Sequence, residues 1–360
     1  MNNSALWGDL VDFDANPRLI ATIRVAVGLL ALLKGLTLVA FAAPPAAVML
    51  PWMALSFAVA IGWHARRAAG GLVALAAYLL FQGFYANHLY LLALVLLLVA
   101  LSDCERQYAI RPQGSGPVPG WPLFLMRAQL SIVYLFAGIA KINGEFLSGS
   151  TLGYHFENSV LPVPDFSSLL LFLSLATVAA EIFIGLAVWS ERLRSLAFAL
   201  VLPLHAVMPF VSQDPAQVVG ILIFTAIMLV LFASFLNVPE GGRLVIWDDR
   251  SEVWRRRISL LRKVDLFGAL RFARRSEERR YEVIGKQPGE AEAALHLFLP
   301  GWRIRAGMDA ILEIIAVLPG GCFIAPYLAL PGVRTFGSGL AREKSVPFSR
   351  VRPEPTARLV

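Results

Sequence analysis

Cysteine is nearly absent from this sequence. Its 360 residues include two, Cys104 and Cys322, too few for a disulfide framework and without metal-ligand or C-x-x-C spacing. That argues against a cysteine-stapled scaffold and against zinc or thiol chemistry. Charge is scarce as well: 16% of residues are Asp, Glu, Lys or Arg, against 57% hydrophobic, with mean hydropathy +0.65. Soluble globular domains carry about 25% charged residues, so a cytosolic enzyme, a disordered chain and a fibrous protein are all excluded. The scarcity is uneven. Residues 1–239 carry 11 Lys+Arg and 11 Asp+Glu, whereas residues 240–360 carry 21 and 14, so the net charge of +7 belongs to the C-terminal third.

What fills the rest is apolar and comes in runs. A hydrocarbon core needs about 20 apolar residues per helix, and eight runs approach that length: Leu19–Ala43, Val48–Trp63, Ala68–Tyr85, His88–Leu101, Pro122–Ile142, Ser168–Trp189, Leu196–Val211 and Val218–Leu236. Four of them are short for a span. Residues 1–18 are polar and acidic and the first run is of full length, so no cleavable signal peptide is expected. Cytoplasmic loops are enriched in Lys and Arg. With the N-terminus inside, the inner loops hold Arg66 and Arg67, then Arg106, Arg111 and nearby Arg127, then Arg192 and Arg194. The outer connections hold Glu145, Glu157, Asp165 and Asp214 and no Arg. The expected fold is an all-α polytopic membrane protein of about eight transmembrane helices in the inner (cytoplasmic) membrane, both termini cytoplasmic, followed by a small α/β domain.

That C-terminal part alternates in period. Residues 243–249 read as a strand, 254–265 as a basic helix, 270–275 as a second strand, 290–300 and 302–307 as a hairpin around Pro300-Gly301, and 308–318 as a helix. A basic unit beneath a membrane would rest against anionic headgroups. Its arginines follow amphipathic elements and form no recognition motif, so nucleic acid is not an expected partner.

Ionisable side chains are expensive within a bilayer and are functional candidates by default. Asn87 and His88 open the fourth run, Lys141 lies near the outer end of the fifth, Glu181 is in the middle of the sixth, His205 is inside the seventh and Lys34 is in the first. The topology brings Asn87, His88 and Lys141 to one depth at the outer face. Each has a plainer account: a lysine at a span end snorkels, a histidine at a helix start is interfacial, and His205, after Pro203, satisfies freed carbonyls. A mid-span carboxylate must be paired or protonated, and a structural pair of Glu181 with Lys34 is the expected arrangement. Cys104 is expected to be unreactive at the inner interface.

The string MRAQLSIVYLFAGIAKINGEFLSGSTLGYHF, residues 126–156, resembles the signature of the HTTM (horizontally transferred transmembrane) domain, the membrane domain of vitamin K-dependent γ-glutamyl carboxylases. Its Ala137, Gly138 and Lys141, followed by Phe146 and Gly149, carry the pattern, joined by Asn87-His88 and by His205 in LPLHAVMPF, and the resemblance spans roughly residues 15–236. It implies that Lys141 is the base that deprotonates reduced vitamin K or menaquinol. It implies also that Asn87 and His88 bind and orient the quinol oxygens, His88 counting with Lys141 as catalytic, and that His205 is a third polar position. Oxygenation by O2 would create a strong base that takes a glutamate γ-proton, with CO2 added to the carbanion, a lyase-type carbon–carbon chemistry. Tyr154 and His155 are candidate lid or substrate contacts, and no metal is implied.

The tail resembles a different family, the thioredoxin-like DCC proteins, over roughly residues 243–350. Where that family has Y-D-G-D-C-P-L-C, this sequence reads Trp247 to Trp254, with Ser251 and Trp254 in place of both cysteines. A thiolate is needed for exchange, so the unit is expected to be redox-inactive. The carboxylases' long propeptide-binding region has no counterpart here, and other HTTM proteins resemble peptide-toxin maturation factors, so the substrate is a peptide on the outer face or a small molecule. The expected organisation is residues 1–18 as a cytoplasmic segment, 19–238 as the HTTM domain, 239–350 as the DCC-like domain and 351–360 as a tail. The competing readings are a catalytically silent membrane scaffold or maturation partner, and a transporter using Glu181 and Lys34 as a coupling pair, which lacks the inverted repeat common in that class.

Overall fold

The computed structural model describes residues 13–114, 116–157, 167–236, 238–276, 295–300 and 303–335. The chain divides into two compact units, Met1–Val238 and Pro239–Val360.

In the first unit each apolar run forms a helix. The helices are α1 (Pro17–Phe41), α2 (Ala46–Ile61), α3 (Ala65–Phe81), α4 (Asn87–Leu101), α5 (Trp121–Ala140), the short α6 (Gly144–Leu147) and α7 (Ser150–Glu157), then α8 (Ser167–Ala187), α9 (Arg194–Val207) and α10 (Pro215–Ala233). Local chemistry sets the starts. Asn16 and Asp214 each accept a hydrogen bond from a backbone N–H two residues on, and Pro17 and Pro215 follow at the first helical position, where a missing N–H costs nothing. Length separates the helices into two sets. α1, α5, α8 and α10 are long and apolar enough to cross a membrane. The other four main helices run 16, 17, 15 and 14 residues, and at 1.5 Å per residue none reaches the roughly 30 Å of a hydrocarbon core by itself. Length thus supports four spans among the eight runs. Leu29, Leu33, Leu36, Leu50, Phe57, Phe81 and Phe136 are exposed on this unit, a surface suited to lipid.

Short connections at residues 42–45, 62–64, 82–86 and 188–193 reverse the chain at each step. Long-range bonds fix the same alternation. Lys34, late in α1, meets His88 at the start of α4, and Arg127, early in α5, donates to the Ser234 carbonyl just past α10. α5 and α8 are also antiparallel, with Trp189 Nε1 donating to Ser131 Oγ near one end of the pair and Lys141 meeting Glu181 near the other. The consequence is a sorting of charge. Arg18, Arg24, Arg66, Arg67, Arg106, Arg111, Arg127, Arg192 and Arg194 belong to one end of the helix bundle, and Lys34, Lys141, Asn87 and His88 belong to the other.

The arginine end is tied together by backbone carbonyls. Arg24, fully buried in α1, donates to the Tyr108 carbonyl, and Arg127 holds the Ser234 carbonyl at 2.7 and 2.9 Å while lying over the rings of Phe13 and Phe235. Strands β1 (Asp14–Ala15) and β2 (Val118–Pro119) pair antiparallel, and Asn16 Nδ2 donates to the Val238 carbonyl at 2.8 Å. Guanidinium groups suit this task because one planar fork satisfies carbonyls that a helix end leaves open.

The second unit contains β3 (Arg243–Trp247), α11 (Glu252–Val264), β4 (Leu270–Arg274), β5 (Leu295–Leu299), β6 (Arg303–Ala306), α12 (Gly307–Val317) and α13 (Gly321–Leu328). The sheet order is β4-β3-β5-β6, with β3 and β4 parallel and the other two pairs antiparallel. Ile246 and Phe298 pack on Leu244, Ala273 and Ile304. Ser251 caps α11 by accepting from Trp254 N, and Asp265, just past its end, accepts from the N–H groups of Ala269 and Leu270 at 3.0 and 2.9 Å, turning the chain into β4. The strand, helix, strand, hairpin, helix order matches the sequence reading. Residues 290–294, Gly301 and Trp302 of the expected hairpin, Asp165 of an expected outer connection and positions 336–350 of the DCC resemblance lie outside the described residues.

Candidate functional site

The first unit holds three side-chain clusters, each joining different helices, two toward the polar end and one in mid-bundle. The first lies between α5 and α8. α5 ends at Ala140 with Lys141 as its C-terminal cap residue, and Asn143 begins the next turn by accepting from Phe146 N at 2.9 Å. Lys141 Nζ therefore stays against the last turn of its own helix, 3.2 Å from the Ala137 carbonyl, and reaches Glu181 Oε1 and Oε2 at 2.9 and 2.8 Å. The Phe146 ring lies 5.8 Å from the ammonium. Glu181 is 3% exposed and Lys141 28%, so the pair is buried from the carboxylate side and open from the amine side. Gly138 makes this approach possible: a Cβ there would fall 2.7 Å from Ile182 Cγ1 and 3.3 Å from Ile182 N. Only a residue without a side chain lets α8 come close enough for Glu181 to meet Lys141.

The second cluster joins α1, α4 and α10. Lys34 Nζ is 2.8 Å from His88 Nε2, and the His88 ring lies against α10 where Gly220 leaves room, its Cε1 3.0 Å from the position a Cβ would take. An ammonium has only donors, so Nε2 accepts and the neutral ring carries its proton on Nδ1. His88 is half-buried. Asn87 beside it is exposed, and its Oδ1 accepts from Tyr85 Oη at 3.1 Å.

The third cluster joins α5, α9 and α10. Tyr134 Oη lies 2.7 Å from His205 Nε2, and His205 Nδ1 lies 3.1 Å from Thr225 Oγ1. Tyr134 also packs against Phe232. His205 is thus held by two side chains from neighbouring helices, which differs from the expected role of satisfying carbonyls freed by Pro203.

The structure corrects one expected partnership. Lys34 and Glu181 are not paired: Lys34 faces His88, and Glu181 faces Lys141. The reason is packing order. α1 packs against α2, α4 and α10, whereas α8 packs against α5 and α9, so the two side chains belong to different neighbourhoods. Asn87, His88 and Lys141 share one end of the bundle, as expected, but each bonds to a different group. Tyr154 and His155 sit on α7, exposed and ring to ring at 5.9 Å. Sequence reasoning singled out neither Tyr134 nor Arg24. The available signal for Tyr134 was its place seven residues before Lys141, on the face that also carries Gly138.

In the second unit, Ser251 and Trp254 are the cap and the buried anchor of α11. The thiol of Cys322 is buried, which pushes its pKa up to about 12, and burial raises Cys104 to about 11. Both are inert thiols at neutral pH. Among the described residues no group of three or more His, Cys, Asp or Glu is placed to hold a metal ion.

No curated protein and no solved structure matches the chain. A family model does, that of the HTTM domain, over residues 20–238. The match begins three residues inside α1 and ends with the first unit, so the apolar helices and all three polar clusters lie within it, and this multi-pass membrane protein belongs to the HTTM domain family.

Proposed function

We propose that the protein is a quinol-dependent, carboxylase-like membrane enzyme in which Lys141 is the base. The observation that carries this reading is the ion pair of Lys141 with Glu181. A buried pair contributes little net stability and is costly to break, and this one sits in an apolar helix bundle with the amine edge left partly open. Lys141 and Glu181 together have no net charge whether the proton lies on Nζ or on the carboxylate. Shifting it to Oε frees an amine for proton abstraction without leaving an isolated buried charge.

The quinol is a co-substrate, and the donor set at the polar end suits it. Asn87 offers an exposed amide and His88 a half-buried imidazole with Nδ1–H free of Lys34, both appropriate for quinol oxygens. These residues would bind and orient the quinol while the helices exclude water. Reduced vitamin K or menaquinol with O2 is the proposed oxidising couple, and CO2 the proposed addend. The acceptor is a peptide or small molecule entering at the polar end, next to the exposed Tyr154 and His155 of α7.

The remaining reading concerns architecture. Eight crossings of the inner membrane, with both termini in the cytoplasm, are supported by the sorting of arginines to one end of the bundle, with the shorter helices tilting little or thinning the bilayer around them. The strand order β4-β3-β5-β6 and its mix of parallel and antiparallel pairing support a thioredoxin-like, DCC-type unit over residues 239–350 that has lost both cysteines of its motif.

The test is epoxide formation by the purified protein supplied with reduced vitamin K or menaquinol and O2, compared with Lys141→Ala. Epoxide from the wild type and none from the variant is the expected result. No epoxide from folded wild type with either quinol would leave the silent-scaffold reading in its place.

A further inference from the structure

The second unit presents a surface that its own fold does not use. Helix α11 buries Trp254 and Ile258, with Leu261 and Asp265 on the same side. At 100° per residue one flank of the helix, about 110° round from that side, carries Val253, Leu260 and Val264 within a narrow stripe, spaced seven and four residues apart. These three are exposed, Leu260 at 62%. Arg256 and Lys263 flank the stripe on one side and Arg257 on the other, and Arg256 is itself 82% exposed. Leu266, just past the helix end, is also exposed. The neighbouring edge strand β4 adds exposed Arg271 and Arg274.

An apolar stripe between rows of cations is poorly suited to water, and a merely solvated helix face would have no reason to expose Leu260 among arginines. It is the arrangement of a helix lying in a membrane interface, with leucine and valine entering the acyl boundary and long basic stems reaching headgroup phosphates. Charge complementarity selects the partner: anionic lipid, not a neutral surface. Chain continuity supplies the same partner, since only nine residues separate the end of α10 at Ala233 from β3 at Arg243. We infer that the outer face of α11 docks on the anionic lipid surface of the membrane that the first unit spans. This surface is independent of the quinol chemistry proposed above.

The experiment uses the full chain in nanodiscs. Leu260→Cys is labelled with an environment-sensitive fluorophore, the native thiols being buried, and Arg255→Cys, on the flank away from the stripe, is labelled as a control. Nanodiscs of phosphatidylcholine are compared with nanodiscs containing phosphatidylglycerol, each with and without a lipid-borne quencher. Docking predicts a blue shift and quenching at position 260 in the anionic discs, little change at 255, and loss of the effect in Arg256→Glu with Lys263→Glu. Each cation within reach of the surface contributes about a five-fold change in occupancy, so high salt should also release the helix. Aqueous emission at 260 in both lipids overturns the inference. So does a blue shift without lipid quenching, which would mean that the stripe rests on protein.

Discussion

Lys141 Nζ lies within 3.2 Å of three acceptors, the two carboxylate oxygens of Glu181 and the carbonyl of Ala137. An ammonium has three protons to donate, so the resting side chain is satisfied by the protein alone. A lysine that merely snorkelled would turn its charge outward. Here the charge is turned inward, to a carboxylate that is nearly fully buried.

Glu181→Gln should therefore destabilise the protein by about 3–5 kcal/mol, because it leaves the lysine without its counter-charge. Lys141→Met alone should cost a similar amount by stranding the carboxylate. The double variant should lose much less than the sum, since neither charge is then left alone. Thermal unfolding of all four proteins in detergent measures this. Additive losses would mean that the two groups are not energetically coupled.

Gly138→Ala should weaken the same site without touching either charge. The added methyl would meet Ile182 Cγ1 at 2.7 Å and its backbone N at 3.3 Å, so α8 must retreat and carry Glu181 with it. Overpacking of this kind costs about 1–3 kcal/mol. Gly144→Ala is the control, because nothing lies within 4 Å of a Cβ there. Unfolding temperatures should fall for the first and hold for the second, and epoxide formation should follow the same order.

Much of this architecture is legible in the residues. Each apolar run became a helix within a few residues of its expected ends, because charge, proline and glycine mark where a run must stop. The alternating strand and helix pattern of residues 243–318 is local and was readable for the same reason. The partnership of Glu181 was not. A mid-span carboxylate announces that it needs a cation, but two lysines were available, and the choice between them depends on which helices pack together. That is set by contacts such as Gly138 with Ile182, whose partner lies 44 positions away and leaves no periodic mark. Tyr134 was missed for a related reason: an aromatic on an apolar helix reads as packing until His205, on another helix, is found against its hydroxyl.

The two thiols make a pH prediction outside the helical spans. Burial raises Cys104 to about 11 and Cys322 to about 12, above the unfolded value of about 8.5. Below that value the thiols are protonated in both states and titration costs nothing. As pH rises above it, the unfolded chain ionises while the folded one does not, so stability falls progressively toward pH 11–12. Iodoacetamide at pH 8 should leave both cysteines unmodified in the folded protein and modify both in denaturant. Labelling of either in the folded state would contradict its burial.

The contact of Lys34 with His88 fixes a tautomer, and this can be measured. With Nε2 accepting from an ammonium at 2.8 Å, the neutral ring must carry its proton on Nδ1, and a second positive charge on the ring would face Lys34 directly. Imidazole nitrogen shifts from histidine-labelled protein should therefore report the Nδ1–H form for His88. Lys34→Met removes the donor, so the ring should populate both tautomers. The lost hydrogen bond should cost about 1–3 kcal/mol, since it involves a charged donor to a half-buried acceptor. If His88 binds the quinol through Nδ1–H as proposed, epoxide formation in Lys34→Met should fall through a raised quinol KM, whereas a purely structural lysine would leave that KM unchanged. A wild-type spectrum dominated by the Nε2–H form would show that Lys34 does not hold the ring.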